Sequence, residues 1–320
     1  MLKSTVSIIG AARTIGYRFC SGARPVTPRH SVISCGRFRA VLVALAAALV
    51  AYPLAAKEPA SPSDPALVIP LQPYLRAQMT MQASMNGITG TFLFDTGEGL
   101  STISPAYGQK VGCHPWGRVS GFRMSGERLD TPHCDDLNFV VAGKQLHAPA
   151  VIILDIMKFM GSDVPSLDGA VGLDIFAGKV ITIIPRRAIV VESPGSLAKR
   201  IAHSFLLQIR IVRDVEGLAL AVDAPVRTSS GLAWMELDDG NGGSMVIANH
   251  IAPLLGLATD VTEPIDAKLV LGNDIEVQGK ARTRDLIMDG NIGAGFLNKW
   301  NLTLDLAGSR AWLSPATDAQ

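Results

Sequence analysis

The stretch DGAVGLDIFAGKVITIIPRRAIVVES, from Asp168, returns without a gap as DGNIGAGFLNKWNLTLDLAGSRAWLS from Asp289, 121 positions later. Each copy begins Asp-Gly-x-aliphatic-Gly and continues through a short apolar segment into two β-like runs. An earlier pair also lines up. FLFDTGEGLSTIS, Phe92 to Ser104, recurs as MELDDGNGGSMVI from Met235, which sets Asp95 opposite Asp238 and Gly97 opposite Gly240 at an offset of 143. The second copy therefore lacks 22 residues between its two landmarks, and one of its connecting hairpins is expected to be short. Repetition on this scale predicts two related units, residues 68 to 195 and 203 to 317, divided near SPGSLAKR, Ser193 to Arg200.

The segments between the landmarks predict a mostly β fold. ALVIPLQ, RAQMTMQASM, TGTFLFD, LNFVVAG, APAVIILD and KVITIIP are short apolar or alternating runs, separated by turn residues such as Asn86-Gly87 and Ala142-Gly143-Lys144. Helices are expected to be few: Pro105 to Val111, a turn around Ile175, and Ala252 to Leu255. With 48% hydrophobic residues the chain has ample material for a core.

The first 57 residues have a different character. They hold eight Lys or Arg and no Asp or Glu, and an apolar run from Ala40 to Ala56 follows Arg37 and Arg39. This is the pattern of a secretory leader cleaved near Ala56, with an uncleaved membrane anchor or an organelle transit peptide as alternatives. The Pro- and Ser-bearing KEPASPSDP, from Lys57, then reads as a linker, whose bounds are set at 58 to 67. The expected location is periplasmic or secreted. Past the leader, 21 basic residues face 28 acidic ones, a balance that argues against nucleic acid as a partner.

Four cysteines are present, two of them in the leader. Cys113 and Cys134 either close a disulfide or remain two separate buried thiols. Six scattered histidines show no zinc-ligand spacing, and the acidic turn LDDGNGG, Leu237 to Gly243, lacks the ligand alternation of a calcium loop, so neither a metal nor a cofactor is expected.

An apolar strand ending in Asp-Thr-Gly, a second strand, and a later aliphatic pair before glycine, all of it doubled, resembles the pepsin and retropepsin-type aspartic proteases. NGITGTFLFDTG is the strongest piece of that resemblance. It implies two retropepsin-like β-barrel lobes with a cleft between them, and an aspartic endopeptidase whose dyad is Asp95 and Asp238. A catalytically degenerate relative that binds peptide or acts as a scaffold is the alternative, and pairing of the first lobe with a second copy of itself is another. Thr96, Gly97, Asp239 and Gly240 are the expected loop supports, and a monomer acting on peptide or unfolded protein follows from the same resemblance.

The chemistry behind this expectation is that two neighbouring carboxyls cannot both ionise, so they share a proton and can serve as acid and base. Thr96 fits a hydroxyl that bonds across to the opposite loop. Asp239 departs from the pattern, since an ionised carboxylate accepts but cannot donate, and it must be protonated, turned away or bonded by Thr96 and backbone donors. Glu98 also departs and is expected to face solvent. VSGFRMSGER supplies a candidate flap, with Gly121 able to bend and Phe122 or Met124 able to cap a substrate, and Gly172 and Gly293 are expected to pack beside the active loops. No Gly-x-Ser-x-Gly, dinucleotide loop or cysteine-protease signature is present.

Overall fold

The structure is a computed structural model that describes residues 66 to 316 apart from 162 and 244; the leader and nearly all of the linker lie outside the described residues. Among the described residues no helix is long and apolar enough to cross a membrane.

Among the described residues the fold is mostly β, arranged as three sheets. An eight-stranded sheet runs from Gln72–Pro73 through Met79–Met85, Ile88–Phe94, Gly169–Val171, Thr102–Ile103, Lys144–Ile153 and Arg128–Val141 to Trp116–Phe122. A seven-stranded sheet has Gly231–Asp238 beside Gly290–Gly293 and Met245–Ala248, with Glu276–Arg284 and Ile265–Val270 beyond. The third sheet, of six strands, takes Leu67–Pro70, Val180–Ile184 and Ala188–Val191 from one half of the chain and Phe205–Leu207, Trp300–Asp305 and Arg310–Pro315 from the other. Such a shared sheet is not visible in either half of the sequence taken separately.

Local chemistry explains the hairpins. Asn86 and Gly87 have φ of +47° and +78°, and Ala142 and Gly143 have +45° and +77°. Two successive left-handed residues make the tight turn whose twist matches the flanking strands. Met79–Met85 then pairs with Ile88–Phe94 from Met79 opposite Phe94 to Met85 opposite Ile88. Behind the strand that ends at Asp95, Phe92 meets Tyr107 and Phe139 edge-on at 5.3 and 5.6 Å, and Phe94 meets Phe176 at 6.4 Å. These fully buried rings exclude water from the base of the loop.

The repeated Asp-Gly motif has a structural role in both places. Gly169–Val171 runs parallel to Ile88–Phe94, with Leu93 opposite Ala170 and Phe94 opposite Val171. Gly290–Gly293 runs parallel to Gly231–Asp238, with Glu236 opposite Asn291 and Leu237 opposite Ile292. Asp168 accepts the Thr91 amide at 2.9 Å, and Asp289 accepts the Trp234 amide at 2.8 Å. A Cβ on Gly169 would lie 2.0 Å from the Thr102 carbonyl oxygen, and one on Gly290 2.6 Å from the Met235 side chain. Glycine is needed where the strands cross this closely.

Several sequence expectations are refined. Thr102 and Ile103 face Ala170 and Gly169, whereas Val246 and Ile247 face Asn291 and Gly290, so the second acidic loop is one residue longer than the gapless alignment assumed. Two strands, Ile265–Val270 and Glu276–Arg284, stand in the second half where the first has three. Helix Pro105–Lys110 and the helical turns Asp174–Phe176 and Ala252–Leu255 occur where expected. The divider at Ser193 to Arg200 is itself a helix, Pro194–Ile201. Its proline and serines are a helix start: the Ser193 hydroxyl accepts the Ser196 amide, the Ser196 hydroxyl accepts the Ser193 amide, and proline takes the first helical position.

Cys113 and Cys134 form a disulfide across 21 positions, with Cα atoms 6.1 Å apart, and it ties the loop after helix Pro105–Lys110 to the long strand Arg128–Val141. Replacing both cysteines with serine is expected to lower stability by about 3 kcal/mol through the loop-entropy effect. Urea unfolding of the oxidised protein and of the double variant measures it, and equal midpoints would show that the bond adds nothing.

Candidate functional site

The ends of Ile88–Phe94 and Gly231–Asp238 deliver two acidic loops to one buried point. Asp95 and Asp238 are each 1% exposed. The loops approach so closely that a Cβ on Gly240 would lie 2.0 Å from Asp95 Oδ2, and one on Gly97 2.7 Å from Asp238 Cγ. No residue larger than glycine fits at either position without moving the opposite carboxyl.

Hydrogen bonds hold each loop. The Gly97 amide donates to Asp95 Oδ1 at 2.8 Å, and the Asn241 amide donates to Asp238 Oδ1 at 2.9 Å. Asn291 Nδ2 donates to Asp238 Oδ2, and Asn241 Nδ2 donates to Asn291 Oδ1 at 2.8 Å. Gln78 Nε2 donates to the Gly240 carbonyl from below. Asn291 was not anticipated, although comparing DGNIG with DGAVG shows an amide in one copy where the other has Ala170.

Thr96 and Asp239 lock the loops to each other. The Thr96 hydroxyl donates to the Leu237 carbonyl at 2.7 Å and accepts the Asp239 amide at 3.1 Å, while the Thr96 amide donates to Asp239 Oδ1 at 2.8 Å. Of the three arrangements open to Asp239, acceptance from Thr96 is therefore present for one oxygen. Its Oδ2 is buried and has no donor. Glu98 corrects its expectation: it is 1% exposed instead of facing solvent, because the loop turns it inward beside Asp174, and its Oε1 also lacks a donor. Gly172 packs against this group, where a Cβ would meet Asp174 Oδ1 at 3.0 Å and Glu98 Cβ at 3.5 Å, and a Cβ on Gly293 would lie 2.6 Å from the Asn241 carbonyl oxygen.

The electrostatics follow from burial. Asp95 is pushed well above the usual carboxylate range by loss of water, and then by the nearby Asp238, Glu98 and Asp239. Asp238 is raised less, since burial is opposed by hydrogen bonds from Asp95, Asn291 and the Asn241 and Gly240 amides. Two carboxyls raised together in this way favour sharing one proton between them. Burial pushes Glu98 well up, Asp239 to about 7 and Asp174 to about 6. Asp174 is partly compensated by the Ser101 hydroxyl at 2.6 Å and the Ser101 amide at 3.0 Å.

The hairpin between Trp116–Phe122 and Arg128–Val141 contains the candidate flap residues. Gly121 is buried, Phe122 is half-buried, and Met124 at the tip is 2% exposed. The Met124 carbonyl accepts the Ile287 amide at 3.1 Å, so the tip is clamped onto the loop that precedes Gly290–Gly293.

No family model matches this chain, and no curated protein does. Among solved structures it is similar to basic 7S globulin from soybean, at 11% identity and a TM-score of 0.52, over 78% of this chain and 95% of that one. It is also similar to conglutin gamma, a basic 7S globulin from lupine seeds, at 10% identity and a TM-score of 0.50, over 78% and 94% of the two chains. The likeness is one of fold.

These neighbours are seed globulins, and neither is described as a protease. They overturn the resemblance to pepsin and retropepsin-type aspartic proteases, the endopeptidase function and the description as a hydrolase. The structure brings Asp95 and Asp238 together, but it buries both and adds two further carboxyls, Glu98 and Asp239, to the same pocket of low dielectric.

Each of these carboxyls binds its proton more tightly folded than unfolded. Stability is therefore fully present below the unfolded value near 4 and is lost as pH rises through the folded values, which for Asp174 and Asp239 are about 6 and 7. Asp239→Asn is expected to flatten this decline and to stabilise the protein at pH 8 by about 2 to 4 kcal/mol. Urea unfolding at pH 4, 6 and 8 checks both, and a stability that rises with pH would contradict the assignment. Gly240→Ala is expected to cost about 3 kcal/mol or more by forcing its Cβ into Asp95. The same unfolding assay reads it.

Proposed function

We propose that the chain is a non-catalytic binding protein whose ligand is a small amine on an apolar body. The observation that carries this reading is a cavity of about 270 Å³ beside the acidic loops, reaching from Gly99 to Met288. Leu220, Trp234, Ile287 and Met288 supply apolar walls. Asp214, Asp223, Glu236 and Asp289 line the same space against a single cation, Arg210.

Arg210 indicates what the cavity accepts. Its guanidinium stacks over the Trp234 ring at 4.7 Å and pairs with Asp223 at 2.8 Å. Cation on aromatic face with a carboxylate alongside is the combination that recognises ammonium ligands. With four acidic side chains against one basic among the lining residues, the cavity favours a positive charge over an anion. A volume near the lower end of ligand sites suits a small molecule.

Calorimetry with phenethylamine, phenethyl alcohol and phenylacetate tests the reading. The amine is expected to bind, the alcohol about tenfold more weakly or worse, and the acid not at all. Glu236→Gln should weaken the amine about tenfold, which is close to 1.4 kcal/mol. Binding of the acid as tightly as the amine, or no heat from the amine, would sink the proposal.

We also infer that residues 68 to 195 and 203 to 317 descend from one doubled unit. The registers that support it keep the sequence offsets: Phe94 with Val171 against Leu237 with Ile292, and the amides of Thr91 and Trp234 on Asp168 and Asp289. In the shared sheet Thr182 faces Thr303, its counterpart 121 positions on, and their hydroxyls lie 2.9 Å apart. Antiparallel pairing of equivalent residues is how a two-fold axis meets a sheet. Export to an oxidising compartment belongs to the same proposal, because the Cys113–Cys134 bond suits one.

A further inference from the structure

Against the acidic loops, at Thr96 and Asp239, lies a second and much smaller cavity of about 10 Å³. Its wall is formed by Met79, Ile183, Pro185, Leu297 and Leu302, with Thr96, Asp239, Asn298 and Trp300 as the polar members. Two of these polar groups are orphaned. Asp239 Oδ2 is buried without a donor, and Trp300 Nε1 is buried without an acceptor. One is an acceptor and the other a donor, and both belong to residues of the same wall. The volume is that of one water molecule, and an apolar wall carrying two unmet polar atoms is the setting in which buried water is retained.

We propose that this cavity is an ordered-water site in which one water accepts from Trp300 Nε1–H and donates to Asp239 Oδ2, making Trp300 a positioning residue for the charge state of Asp239. The direction follows from hydrogen-bond chemistry. Indole N–H only donates, so the water's own hydrogens are left for acceptors, and an ionised carboxylate is the strongest acceptor present. The water therefore favours ionised Asp239. The groups facing Asp239 from the loops are Thr96, which bonds it, and the carboxyls of Asp238 and Asp95, which oppose its ionisation. The cavity wall contributes no other titratable side chain.

The test uses the protein labelled with ¹⁵N in its tryptophan indoles, which gives four N–H signals, one for each of Trp116, Trp234, Trp300 and Trp312. Trp300→Phe assigns the Trp300 signal. That signal is expected to show a cross-peak to water and to shift with pH around a midpoint near 7, the value to which Asp239 is raised. Asp239→Asn should leave the signal flat, and in Trp300→Phe the pH-dependent loss of stability should move upward by about half a pH unit, since the ionised form loses support. The measurement on the unsubstituted protein stands even if a variant does not fold. A Trp300 signal without a water cross-peak, or one that does not move between pH 5 and 8, would overturn the proposal.

Discussion

The contact on which the rest of the fold depends is the one between Asp95 and Asp238, two carboxyls pressed together out of reach of water. They are compatible only while one of them holds a proton, and burial supplies that condition by disfavouring charge on both. Everything around them keeps them in place: glycines at 97 and 240 that leave room for the opposite carboxyl, the reciprocal clasp of Thr96 and Asp239, and the Asn291 amide on Asp238. The clasp joins chain segments more than 140 positions apart, and acts as the rivet between the two large sheets.

The consequence is a centre whose state follows pH. Asp95, Glu98, Asp174, Asp238 and Asp239 all lie above their ordinary range, and desolvation is the leading cause for each. A cluster of this kind stores protons and opposes opening at acidic pH. Nearby, the tip of the hairpin between Trp116–Phe122 and Arg128–Val141 is hydrogen-bonded to Ile287. The cavity beside it, with its stacked guanidinium and four acidic lining residues, is the site proposed for a ligand.

Much of the frame was legible in the sequence. Turns at Asn86-Gly87 and Ala142-Gly143 announced themselves through residues that tolerate left-handed backbone, and strands through their alternation. The pairing of Asp95 with Asp238 could be read because two copies of one pattern carry it. Glu98 was misjudged because a charged residue beside glycine usually meets water, and only the packing of Gly172 and Asp174 against it shows otherwise. The protease expectation rested on a short motif, and the solved structures similar to this chain are seed globulins.

By itself the sequence determined the strand content, the two repeated acidic turns and their offsets, since side-chain periodicity and glycine positions act over a few residues and leave a local trace. Tertiary structure alone decided how deeply the carboxyls are buried, that Asn291 and Gln78 support them, that Cys113 reaches Cys134, and that a shared sheet joins the halves through Thr182 and Thr303. The reason is physical: burial and proton affinity arise from what surrounds a group on every side, and those neighbours come from segments that are far apart along the chain.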